Sequence, residues 1–184
     1  MSEGGAKATT AVLGLGNVLM GDDALGPTVI ARLRAACEFP ADVEVEDLGT
    51  PGLDLHPHLQ GHAALVLVDT VRAPGPPGTL KLYRKDDILR HPPGPRVSPH
   101  DPGLKDALLW LQFSGEEPSE VLLVGVVPAG TEGEVGLSEA VAGAIPDAEE
   151  AVLTELQRLG HQVRRREAPD APDLWWESPE RPPG

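Results

Sequence analysis

The sequence predicts an α/β domain, a three-layer sandwich whose twisted, mostly parallel sheet is flanked by helices on both faces. Three observations predict it. Short apolar runs bounded by glycine or acid alternate with stretches of helical character. The run 64–68 is apolar at every position, as in a strand covered on both faces. The chain has 184 residues, enough for one domain with little left over.

Residues 10–15 read as the first buried strand, and a glycine-containing acidic turn follows. Pro27 suits the first turn of the next helix, where a missing N–H costs nothing. Residues 43–47 alternate apolar with acidic as a second strand, and a short helix is expected over 53–59. The strand 64–68 ends abruptly at Asp69. A Pro/Gly-rich stretch then leads to residues 79–83, whose alternation is that of an edge or near-edge strand. A helix is expected over 104–112, a buried strand over 120–127, and a last long helix from Ser138 to Leu159, interrupted or restarted at Pro146. The organisation is a flexible leader over 1–9, the domain over 10–166, and a Pro-rich, acidic, loosely ordered tail over 167–184. Within that tail, Trp175 and Trp176 are aromatic enough to dock on the body or on a partner.

Aromatics make up only 3% of the chain, so its core has to come from Val, Leu, Ala and Ile. A formal net charge of -14 argues against nucleic acid and against an anionic membrane, which both reward basic patches. A single cysteine, Cys37, excludes an internal disulfide framework and a Cys-rich zinc site. No run approaches the ~18 apolar residues of a membrane helix, and the opening residues lack a signal-peptide core. A cytoplasmic setting is therefore expected.

Gly14 and Gly16 after the first strand invite a dinucleotide reading. The third glycine of that fingerprint is replaced by Leu19, and the acidic pair Asp22 and Asp23 would repel phosphate. What the two glycines provide is a tight exit from the strand that brings the acids to the carboxyl edge of the sheet. Asp69 sits at the same edge, so adjacency of the strands 10–15 and 64–68 would set Asp23 facing Asp69 across a crevice. His100, in the proline-stiffened stretch Ser98-Pro99-His100, is the plausible third member. Two carboxylates and an imidazole suit a borderline divalent ion such as zinc or nickel, with positions left open for substrate. Against this, Asp23 could cap the following helix, Asp69 could be an ordinary loop carboxylate, and Asp22 is the better placed of the pair to face solvent. His56 and His58 are expected on a turn or helix end. His62, His91 and His161 lack informative acidic neighbours in sequence and read as surface histidines.

Taken together, several stretches resemble the [NiFe]-hydrogenase maturation proteases. The opening Gly14-Leu-Gly16-Asn17 with Leu19, Asp22, Asp23 and Gly26 is similar to that family's first motif nearly position for position. Asp47-Leu-Gly49-Thr50-Pro-Gly52, Val66-Leu-Val-Asp69, Ser98-Pro-His100 and Gly125-Val-Val-Pro128 follow in the same order and spacing. The resemblance spans residues 12–159. It implies an endopeptidase that removes the C-terminal peptide from a nickel-loaded [NiFe]-hydrogenase large-subunit precursor. It also implies that Asp23, Asp69 and His100 contact the metal and carry catalysis, and that Asp47, Gly49 and Thr50 serve substrate recognition. The nickel is then presented by the precursor, and no tightly held metal of the enzyme's own is expected. Two departures stand out: Ala24 occupies a frequent glycine position, and Asp23 is one methylene shorter than the Glu some members carry. Metal-assisted and aspartic-type chemistry stay open. So do two alternatives, a non-proteolytic nickel carrier or assembly chaperone, and a zinc-dependent peptidase or amidohydrolase acting on another substrate.

Overall fold

The structure, a computed structural model, describes residues 9–51, 55–90, 103–131 and 133–177. Five strands form the main sheet: β1 (Thr10–Leu15), β3 (Val43–Gly49), β4 (Ala64–Thr70), β5 (Leu80–Arg84) and β6 (Glu120–Val126). Their order across the sheet is β3-β1-β4-β6-β5, parallel throughout except for β5, which runs antiparallel along β6 at the edge. Helices α1 (Leu25–Ala36) and α5 (Glu139–Arg158) cover one face, while α2 (Leu55–Leu59), α3 (Lys85–Arg90) and α4 (Leu104–Ser114) cover the other. The expected three-layer α/β sandwich is present.

The side-chain alternation of a strand sorts the core. In β4, Val66 and Val68 face Val29, Ile30, Val152 and Leu156, whereas Leu65 and Leu67 face Leu55, Leu59, Leu108 and Leu111. Both clusters consist of buried Val, Leu, Ile and Ala, as the shortage of aromatics required.

Pro27 falls in the first turn of α1, as expected, and a 3-10 turn over Gly21–Ala24 precedes the helix. Other boundaries differ from the sequence reading for identifiable reasons. β4 continues to Thr70, so Asp69 is a strand residue in register with Gly125, not the first residue beyond the strand. α5 is unbroken across Pro146, in contrast to the expected interruption. Pro146 and Ala142, whose carbonyl loses its helical donor, are both exposed, so water can take that bond. Ser138 caps the helix, its Oγ accepting from the Val141 N–H at 3.3 Å.

Between α5 and residue 177 the chain keeps contact with the body. A two-residue strand, β7 (Arg164–Arg165), pairs antiparallel with β2 (Cys37–Glu38). Beyond it, the Arg166 and Asp170 N–H groups donate to the carbonyls of Ala36 and Ala35 at 2.8 and 3.0 Å. Trp175 and Trp176 meet edge to face at 5.8 Å. With Asp173 they wall a cleft of about 330 Å³ whose other side is Pro27, Ile30 and Asp47.

Two histidines expected at the surface are withdrawn from it. His62 is buried with Nε2 3.1 Å from Glu44, and His161 lies 2.8 Å from the Thr10 hydroxyl and 3.4 Å from Asp42. His56 stacks against Trp110 at 4.5 Å, so α2 is pinned to α4 by a ring contact.

One buried acid ties α5 to the sheet edge. Glu155 accepts from Arg84 at 2.6 Å and from Arg158 at 2.8 and 3.0 Å. Burial pushes its carboxyl up, but the hydrogen bonds from Arg158 and Arg84 outweigh that and hold it at about 2. The folded value lies below the unfolded one, so this stabilisation is complete above the unfolded pKa near 4.5 and fades as pH falls toward 2. It amounts to about 3 kcal/mol at most, since both arginines are half exposed. The melting temperature of Glu155→Gln is accordingly expected to fall below that of the wild type at pH 7. The gap should narrow as both are titrated from pH 4.5 to 2, and a constant gap would exclude the linkage.

Candidate active site

The sheet order makes β1 the point at which the chain reverses direction across the sheet. From β1 it goes first to β3 on one side, then crosses to β4 on the other. Crevices that bind ligands open at such points, beyond the strand carboxyl ends. Gly14 is in register with Val68 of β4 and Asp47 of β3, so the residues just beyond these positions share that edge.

Two glycines let the chain turn there. Gly16 has φ +137°, and a Cβ on it would lie 1.8 Å from the Asp23 carbonyl oxygen. A Cβ on Gly26, in the first turn of α1, would come within 2.2 Å of the Leu15 carbonyl oxygen and 2.6 Å of that of Val68. The start of α1 is therefore pressed against the ends of β1 and β4, which sets Asp23 beside β4.

Asp23 and Asp69 are both buried, at 6% and 7% exposure. The Asp23 Oδ2 accepts from the Asn17 N–H at 2.8 Å. Thr70 links the two acids: its N–H donates to the Asp69 Oδ1 at 2.8 Å, and its hydroxyl reaches the Asp23 Oδ1 at 3.5 Å. Thr70 thus contacts both carboxylates, through its N–H and its hydroxyl. Asp23 makes no side-chain cap to the helix, in contrast to the simpler reading. His100 lies outside the described residues. Among the described residues no three His, Cys, Asp or Glu groups cluster as a metal site.

Asp22, read as the member facing solvent, is the more deeply buried of the pair at 1% exposure. Its carboxylate accepts from the N–H groups of Ala129 at 2.7 Å, Gly130 at 3.2 Å and Ser138 at 2.6 Å, and from the Ser138 hydroxyl at 3.0 Å. Asp22 thereby clamps the segment after β6 to the turn after β1. Its partners lie more than a hundred residues away in sequence, and no local pattern announces them.

The recognition candidates occupy the neighbouring strand end. The Gly49 N–H donates to the Asp47 Oδ1 at 2.8 Å, and the Gly49 carbonyl accepts from the Gly16 N–H at 2.8 Å. Withdrawal of its carboxyl from water raises Asp47 above the usual carboxylate range, opposed by the Gly49 N–H and the Arg34 guanidinium. The residue's outer surface stays exposed, as does Thr50. Asp47 lines the cleft under the tail, on the α1 side of the sheet edge. Thr70 escaped the sequence reading, although its place directly after Asp69 was the available signal.

Known proteins resemble this chain over most of its length. The HycI profile of hydrogenase maturation proteases matches residues 27–155, which takes in Asp69 and begins just after Asp23. The hydrogenase 2 maturation protease of Escherichia coli strain K12 is 35% identical over 158 residues, 85% of this chain and 96% of the relative. The hydrogenase expression/formation protein HupM of Azotobacter chroococcum mcd 1 is 36% identical over 171 residues, 92% of this chain and 81% of its own. The structure of the hydrogenase maturating endopeptidase HybD from E. coli superposes with a TM-score of 0.77 at 34% identity, covering 85% of this chain and 97% of that one. Likeness over this much of the chain defines its class, a hydrolase of peptide bonds. More narrowly, the chain belongs to the hydrogenase maturation protease family.

Proposed function

We propose that this chain is the endopeptidase that removes the C-terminal peptide of a [NiFe]-hydrogenase large-subunit precursor in the cytoplasm, after nickel has been inserted into that precursor. The Thr70-linked pair Asp23 and Asp69 at the β1/β4 crevice carries the reading. The two carboxylates, 46 residues apart in sequence, are both buried and both contact Thr70. They suit a site that meets positive charge only when substrate arrives.

In this account the nickel is part of the substrate, and it supplies Lewis acidity beside the scissile bond. Asp23 and Asp69 orient the metal-bearing segment, with His100 as the proposed third donor. One of the carboxylates takes the proton from the attacking water, as a general base within hydrogen-bond reach. Thr70 and the Asn17 N–H hold the acids in place so that little reorganisation is needed on binding. Asp47, Gly49 and Thr50, on the adjacent strand end, are proposed to receive flanking substrate chain.

Intact mass of the large subunit in cells that lack this chain provides the test. The account expects a precursor that keeps its C-terminal peptide, and its removal once the gene is restored. A correctly trimmed large subunit in the deletion strain would refute the proposal. Among the described residues no helix is long and apolar enough to cross a membrane.

A further inference from the structure

A second cleft, of about 420 Å³, opens at the carboxyl ends of β4 and β6, between residues 71–73 and 127–131. Both rims are anchored. The Val71 N–H donates to the Val126 carbonyl at 3.0 Å, and the Ala129 and Gly130 N–H groups are held by Asp22. The cleft is thus built before any ligand arrives, which spares the cost of ordering its walls.

Arg72 is its one charged lining residue. Every other arginine among the described residues holds an acid or a backbone carbonyl: Arg32 holds Glu149, Arg34 the Val45 carbonyl, Arg84 and Arg158 Glu155, Arg90 Asp86, and residues 164–166 Glu38 and Glu150. Arg72 is exposed and makes no hydrogen bond or ion pair among the described residues. Lys81 also has no ion pair among the described residues, but it lies on β5 and lines neither cleft. In a chain of net charge -14, an exposed arginine bound to neither an acid nor a carbonyl among the described residues is the exception.

We infer that Arg72 is a specificity-determining residue that receives a carboxylate of the substrate segment flanking the scissile bond. The inference rests on the proposed function and names the substrate chemistry of that same site. A peptide carrying a carboxylate would be repelled by Asp23 and Asp69, and a local guanidinium reverses the field where that segment enters. Guanidinium also binds carboxylate through two parallel hydrogen bonds, which gives register as well as attraction. The carboxylate comes either from an Asp or Glu side chain of the segment or from its C-terminus.

The full-length chain and nickel-loaded precursor provide the test, with dissociation constant, KM and kcat measured for wild type, Arg72→Lys and Arg72→Glu. Arg72→Glu is expected to raise both the dissociation constant and KM about tenfold with kcat unchanged, and Arg72→Lys to fall between. Neutralising the recognised carboxylate in the precursor should abolish the difference between wild type and Arg72→Glu. An effect of C-terminal amidation assigns the terminus, and an effect of an Asp→Asn or Glu→Gln change assigns a side chain. Equal dissociation constants for wild type and Arg72→Glu, or a loss confined to kcat, would overturn the assignment. So would an Arg72→Glu defect that survives neutralisation of every acidic group. Wild-type binding without cleavage would instead refute the peptidase reading and still report on Arg72.

Discussion

Asp69→Asn is expected to slow processing of nickel-loaded precursor by about 10²–10⁴-fold while leaving the melting temperature nearly unchanged. Asparagine fills the same space at the end of β4, and its side-chain oxygen can still accept the Thr70 N–H that Asp69 accepts at 2.8 Å. It cannot carry the negative charge that a metal or a transferred proton requires. Asp23→Asn is expected to act similarly, since its carboxylate shares Thr70 with Asp69. The double variant should be little worse than either single one, as for residues that act as a unit. Initial rates on precursor, together with thermal melts, separate a lost site from a lost fold. Full activity in Asp69→Asn would remove that residue from its proposed role.

Asp22→Ala is expected to have the opposite signature, a large loss of stability. Four hydrogen bonds end on this carboxylate, three of them from backbone N–H groups that lose their acceptor together. Hydrogen bonds to a charged acceptor are the strong kind, and partly buried donors left without one are costly, so a penalty of about 3 kcal/mol is reasonable. For a domain of this length that corresponds to a drop of roughly 10 °C in melting temperature. Calorimetry checks it. A melting temperature within ~2 °C of wild type would mean that the segment 128–138 is held by other contacts.

The contrast between these neighbouring acids shows what the sequence makes legible. The β1 and β4 runs are apolar at nearly every position, so their burial, and Asp69 at the end of β4, follow from local pattern. Adjacency of β1 and β4 then brings the turn that carries Asp23 against β4, because the chain can cross a parallel sheet in few ways. The role of Asp22 was not legible: its donors at 129, 130 and 138 lie more than a hundred residues further along the chain. His62 and His161 escaped for the same reason, being matched by Glu44 and Asp42 through strand packing and not through sequence spacing. Proline and acid in the segment after 166 signalled disorder, yet backbone bonds to Ala35 and Ala36 bind it to α1. Composition describes how a segment behaves alone, and the free carbonyls at the end of α1 supply the partner it lacks.

The account turns on an acidic site that works on metal brought by its substrate. Intact-mass measurement of purified precursor, nickel-loaded and nickel-free, incubated side by side with the wild-type chain, tests that claim most directly. The account predicts loss of the C-terminal peptide from the loaded form alone, and trimming of both forms at the same rate would contradict it.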